Sequence, residues 1–122
     1  MEPTNVKEFQ ELVHRYETIT LKEIEKAAKD YGFSFYDNPI QTYLTGYGYM
    51  STCTLCKKSY DRKGGSCKRC IYTGSSQEDT RCMKGRNRST FKAIEHANSV
   101  EELLEAYRNR AKHLRKYYAR FL

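Results

Sequence analysis

Apolar positions recur at helical spacing near both ends of this chain and lose that rhythm in the middle. Val6, Phe9, Val13 and Tyr16 stand three or four residues apart with polar residues between them, which predicts an amphipathic helix. Thr4 or Asn5 is available as its N-cap. The stretch "TLKEIEKAAKDYG" predicts a second helix. Thr20 and Glu23 form a capping box, Leu21, Ile24, Ala28 and Tyr31 share one side, and Gly32 follows as a helix end. Two short antiparallel helices are the expectation for residues 5–31. The clearest periodicity lies in the last third, where Val100, Leu103, Leu104, Tyr107, Ala111, Leu114, Tyr118 and Phe121 recur at threes and fours. Ser99 and Glu102 cap that helix, which should run for about twenty residues. A shorter helical turn, "TFKAIEHA", precedes it and turns Phe91 and Ile94 inward.

Between these ends the pattern changes. Phe33 and Phe35 alternate as in a strand, and Asn38-Pro39 opens a short helix that Gly46 ends. From there to about Thr90 the chain reads as loops, with Gly46, Gly48, Gly64, Gly65, Gly74 and Gly85 as punctuation.

That irregular stretch holds "CTLCKKSYDRKGGSCKRC", two Cys-x-x-Cys pairs separated by ten residues. A Cys-x-x-Cys turn aims two sulfurs at one centre, so two such turns supply a tetrahedral set with Zn–S distances of about 2.3 Å. The spacer suits a small hairpin in which Gly64-Gly65 supplies positive φ. Cys53, Cys56, Cys67 and Cys70 are therefore expected to hold one structural Zn²⁺, in the manner of a zinc ribbon. Cys82 is the fifth thiol, read first as a free buried thiol and second as an alternate ligand or a member of an iron–sulfur site. The five cysteines do not match the compact ferredoxin run, and no βαβ pattern of a thioredoxin-like protein surrounds either pair.

Composition supports metal rather than disulfides. The 122 residues fit one domain, and 39% hydrophobic content leaves a modest core that gains from a metal. The segment "MEPTNVKEFQ" lacks the apolar stretch of a secretory signal, and no run approaches membrane-spanning length. A soluble protein of a reducing cytosol is the expectation, and there an odd number of cysteines favours metal or redox chemistry.

The formal charge of +7 is unevenly placed. Residues 1–52 hold five Lys/Arg against eight Asp/Glu, whereas residues 53–92 hold eleven against three, a net of +8. Four thiolates with Zn²⁺ carry −2 and reduce that to a net of +6, still strongly basic. Lys57, Lys58, Arg62, Lys63, Lys68, Arg69, Arg81, Lys84, Arg86 and Arg88 interleave with Tyr60 and Tyr72, cations for phosphates and rings for unpaired bases. These residues, with Tyr60, are the candidate surface for nucleic acid or another anionic partner. On the long helix, Arg108, Lys112, Arg115 and Lys116 form a stripe that Glu101 and Glu105 continue. Acid first and base last suits the helix dipole, so that stripe reads as structural.

Catalytic readings fail on spacing. His14, His96 and His113 form no His-x-x-x-His pair, and "EHAN" sits in a helical pattern rather than the ββα-metal arrangement of an HNH nuclease. No phosphate loop, dinucleotide fingerprint or nucleophile elbow occurs. A closed Cys₄ zinc leaves no open coordination position, so a non-enzyme is expected.

Taken in order, "LTGYG", "CTLCKK", "CKRCIY", Cys82, "TFKAIEHA" and "EELLEAYRNRAKHLRK" resemble small cysteine-rich proteins of bacteriophages and mobile elements. These carry two Cys-x-x-Cys pairs, a fifth Cys and then helices, and the resemblance covers about residues 42–116. Some members have Pro after the fourth Cys, where this chain has Ile71. The resemblance implies a bacterial host cytosol, and a viral protein that binds and inhibits a host defence or nucleic-acid-processing enzyme.

The expected fold is mainly α with a small zinc-stapled β-ribbon or loop insert, one α+β metal-binding domain over residues 1–122. Its parts are an N-terminal helical part (1–50), a Cys₄ segment (51–88) and C-terminal helices (89–122), with the terminal helices packing over the metal. The expected function is nucleic-acid binding through the basic segment. The alternative is a protein inhibitor using that surface on an acidic groove of a host protein, and the minor alternative is a redox or iron–sulfur role.

Overall fold

The computed structural model describes residues 4–31, 44–45 and 85–122, with Tyr31, Gly85, Arg86 and Asn87 in backbone only. Four helices make up the described part: α1 (Val6–Thr18), α2 (Leu21–Tyr31), α3 (Gly85–Glu95) and α4 (Val100–Tyr117), followed by a 3-10 turn at Ala119–Phe121. Among the described residues there is no strand. The mainly helical expectation holds there, while the proposed ribbon and the readings for Phe33, Phe35 and Asn38-Pro39 lie outside them. Leu44 and Thr45 are helical, inside the short helix expected to end at Gly46.

α4 is the hub, and α1, α2 and α3 each pack against it. Its buried residues Leu103, Ala106, Tyr107, Arg110, Ala111 and Leu114 span an arc of about 140° at 100° per residue, wide enough for several neighbours. The expected pairing of α1 with α2 is secondary to their shared contact with α4. The two-residue link Ile19-Thr20 delivers α1 and α2 in succession to the apolar arc of α4, on which both pack.

α1 runs antiparallel to α4. Phe9 meets Tyr118 edge-on at 5.7 Å, and nearer the other end Tyr16 stacks on Tyr107 at 5.4 Å. Phe9, Leu12, Val13 and Tyr16 are the buried face of α1, so Leu12 joins the expected set and Val6 sits at its margin. On α2 the fully buried residues are Ile24 and Ala27, while Ala28 is only partly covered. Such burial, rather than intrinsic propensity, is what stabilises helices this short.

Two of the expected caps are present, with one change of detail. Glu23 N donates to Thr20 Oγ1 and Thr20 N donates to Glu23 Oε1, each at 3.3 Å, a reciprocal box. Glu102 N donates to Ser99 Oγ at 3.1 Å, but the Glu102 carboxylate accepts from Asn98 N at 2.8 Å, one residue further out than a capping box requires. Asn5 occupies the N-cap position of α1 without making a side-chain cap.

α3 begins at Gly85, about five residues earlier than the sequence pattern indicates. Its first half, "GRNRST", has neither apolar spacing nor an acidic first turn. It is held instead from its second half, where Phe91 and Ile94 enter the core.

Candidate metal and nucleic-acid site

Cys53, Cys56, Cys67, Cys70 and Cys82 lie outside the described residues. So do Lys57, Lys58, Tyr60, Arg62, Lys63, Lys68, Arg69, Arg81 and Lys84. Of the candidate contact residues, Arg86 and Arg88 fall within the described part. Both ride on α3 rather than in a loop, and Arg88 is exposed.

The helical frame grips the chain on either side of the cysteine segment. On the N-terminal side, Leu44 is buried, and its carbonyl accepts a 2.8 Å hydrogen bond from Arg15 Nε. Arg15 also donates through Nη2 to Glu23 Oε2 at 2.6 Å. Glu23 thus caps α2 with one oxygen and holds Arg15 with the other. The hydrogen bond from Arg15 keeps its carboxyl below the usual carboxylate range, against the opposing effect of partial desolvation. On the C-terminal side, α3 starts three residues after Cys82 and packs on α4 through Phe91, Ile94 and a polar contact. In that contact Arg110, fully buried, donates from Nη1 to Thr90 Oγ1 at 2.6 Å.

Arg110 is the residue that reasoning from the sequence missed. It stands seven residues after Leu103, three after Tyr107 and four before Leu114, so helical spacing already put it on the apolar face. The signal was there and the residue type masked it.

The remaining cations of α4 divide by direction. Arg108 forks onto the end of α1, with Nη1 on the Tyr16 carbonyl and Nη2 on the Ile19 carbonyl, each at 2.6 Å. Carbonyls at a helix C-terminus lack intrahelical partners and carry partial negative charge, so a guanidinium suits them. Arg115 grips Glu17 with two nitrogens, Nη2 to Oε1 at 2.7 Å and Nε to Oε2. That bond holds the Glu17 carboxyl below its ordinary range, and Glu17 in turn raises Arg115. The structural reading of this stripe therefore holds for Arg108 and Arg115, although they bond to another helix and not along their own. Lys112 and Lys116 face solvent.

Among the described residues, no group of three His, Cys, Asp or Glu side chains is placed to hold a metal ion. His14 and His96 are exposed, and His113 is half-buried beside the rings of Tyr117 and Tyr118. A groove along α2 is lined by Thr20, Lys22, Glu23, Glu25, Lys26 and Lys29, acid and base intermixed on one helix, with no convergent set of groups. No described helix is long and apolar enough to cross a membrane. No family model matches the chain, and neither a curated protein nor a solved structure does.

Proposed function

We propose that this protein is a small, non-enzymatic zinc protein that binds nucleic acid through the basic segment around its four paired cysteines. The observation that carries the reading is the coincidence of two features. Cys53, Cys56, Cys67 and Cys70 have the spacing of a closed zinc site, and residues 53–92 around them keep a net charge of +6 after the metal is counted. The exposed Arg88 on α3 extends the same cationic segment onto the helical frame. Lysine and arginine at this density attract phosphates, and Tyr60 offers a ring on which an unpaired base can stack.

The test is a salt series with the zinc-loaded protein and single- and double-stranded oligonucleotides. Binding that persists at physiological salt, with a log–log slope worth several phosphate contacts, is the expected result. Binding that vanishes near about 0.1 M salt overturns the nucleic-acid reading and leaves an acidic protein surface as the partner to seek. The metal is tested separately. Cys67→Ser should lose zinc and stability together, and a variant that keeps both would remove Cys67 from the ligand set.

A further inference from the structure

At 100° per residue, the side of α4 opposite its buried arc carries Glu101, Glu105, Lys112 and Lys116 within about 60° of one another. All four are exposed, and among the described residues none of them takes part in an ion pair. Their order is symmetric. The midpoint of the stripe falls between Arg108 and Asn109; Glu105 and Lys112 stand equally far from it, and so do Glu101 and Lys116. Each acid therefore has a base at its mirror position.

We propose that this face of α4 pairs with the same face of a second copy of the chain, the two helices running antiparallel about a two-fold axis at that midpoint. Glu101 then lies opposite Lys116 of the partner subunit and Glu105 opposite Lys112 of the partner subunit, and each pairing occurs twice across an isologous contact. A second copy matches the stripe because the stripe is complementary to itself, and that property selects the occupant. The residues at the axis fit as well. There a side chain meets its own copy, so a free charge would repel itself. Asn109 is exposed and neutral, while Arg108 is turned aside onto the Tyr16 and Ile19 carbonyls.

The needs of α4 alone do not account for the stripe. The helix dipole favours Glu101 in the first turn and Lys116 in the last, but Glu105 and Lys112 lie outside those turns. Glu101 and Glu105 are four residues apart, and so are Lys112 and Lys116, a spacing at which like charges destabilise a helix. Arg108, three residues from Glu105, is already held by the end of α1. An antiparallel partner relieves both repulsions, because it sets bases beside the acids and acids beside the bases. Exposed ion pairs are individually weak and are screened by salt, so the pairing depends on concentration and loosens as salt rises. It is independent of the nucleic-acid reading, since none of its residues belongs to the basic segment.

The experiment is sedimentation equilibrium of the zinc-loaded full-length protein, freed of nucleic acid, from micromolar to millimolar concentration at low and at physiological salt. Two charge-reversed variants, E105K and K112E, are run beside wild type, each alone and then mixed in equal amounts. Both changes lie outside the first and last turns of α4, so neither opposes the helix dipole, and far-UV dichroism checks that the helices remain. The expected result is a salt-sensitive dimer in wild type and self-association about tenfold weaker in each variant alone. The mixture should recover wild-type strength, because Lys at position 105 of one chain then meets Glu at position 112 of the other. A wild type that stays monomeric at low salt overturns the proposal. So do variants that dimerise as well as wild type, and a mixture that recovers nothing overturns the antiparallel register on which it rests.

Discussion

The α1/α4 and α3/α4 interfaces use arginine in opposite ways. Between α1 and α4 the middle is apolar and aromatic, with Tyr16 stacked on Tyr107, and Arg108 and Arg115 stand at the rim with access to water. Between α3 and α4 an arginine occupies the middle, since Arg110 is fully buried and reaches Thr90. A rim arginine keeps much of its hydration and adds bonds to carbonyls or carboxylates. A central one must be fully desolvated, so its worth depends on the partners around it and on the volume it fills. The same residue type is thus an attachment at one interface and part of the core at the other.

The comparison predicts an order of effects. Arg110→Ala should cost the most, about 3 kcal/mol in urea unfolding, because it opens a cavity at the centre of the interface and removes the bond to Thr90. Arg108→Ala should cost about 2 kcal/mol, from two charge-assisted bonds to the end of α1 at a partly exposed site. An Arg108 variant less stable than the Arg110 variant would break the distinction between rim and centre.

Arg115→Ala should have the smallest effect, and its signature is pH dependence. The Glu17 carboxyl is held below its ordinary value of 4.5 in the folded protein, chiefly by the Arg115 hydrogen bond. The stabilisation is therefore present above that value and lost as pH falls through the lower folded one. Stability measured from pH 6 downward should fall more steeply in wild type than in Arg115→Ala, with the two curves converging in acid. Parallel curves would show that the pair contributes nothing at this exposed site.

Part of this was legible in the residues. The two capping signals at Thr20 and Ser99 depend on groups three residues apart, and the apolar stripes of α1 and α4 depend on a repeat of three to four. Both are local, and both appear in the fold. The first half of α3 was not legible, because "GRNRST" is helical through the anchoring of Phe91, Ile94 and Thr90 rather than through its own pattern. The spacing of each Cys-x-x-Cys pair is equally local, complete within four residues, while the site it is proposed to form lies outside the described residues. The points at which the frame grips the chain around that segment, Leu44 and Thr90, depend on arginines 29 and 20 residues away.

The sequence alone determined where α1, α2 and α4 form, how α2 and α4 begin, and which thiols are spaced for a metal. Tertiary structure alone decided what each cation of α4 does. Arg108 and Arg115 bond to acceptors 92 and 98 residues away, Arg110 is enclosed by the packing of α3, and Lys112 and Lys116 are left outside. Helical periodicity places a side chain on a face, but a charge is neutralised, buried or free according to what the rest of the chain brings to that face.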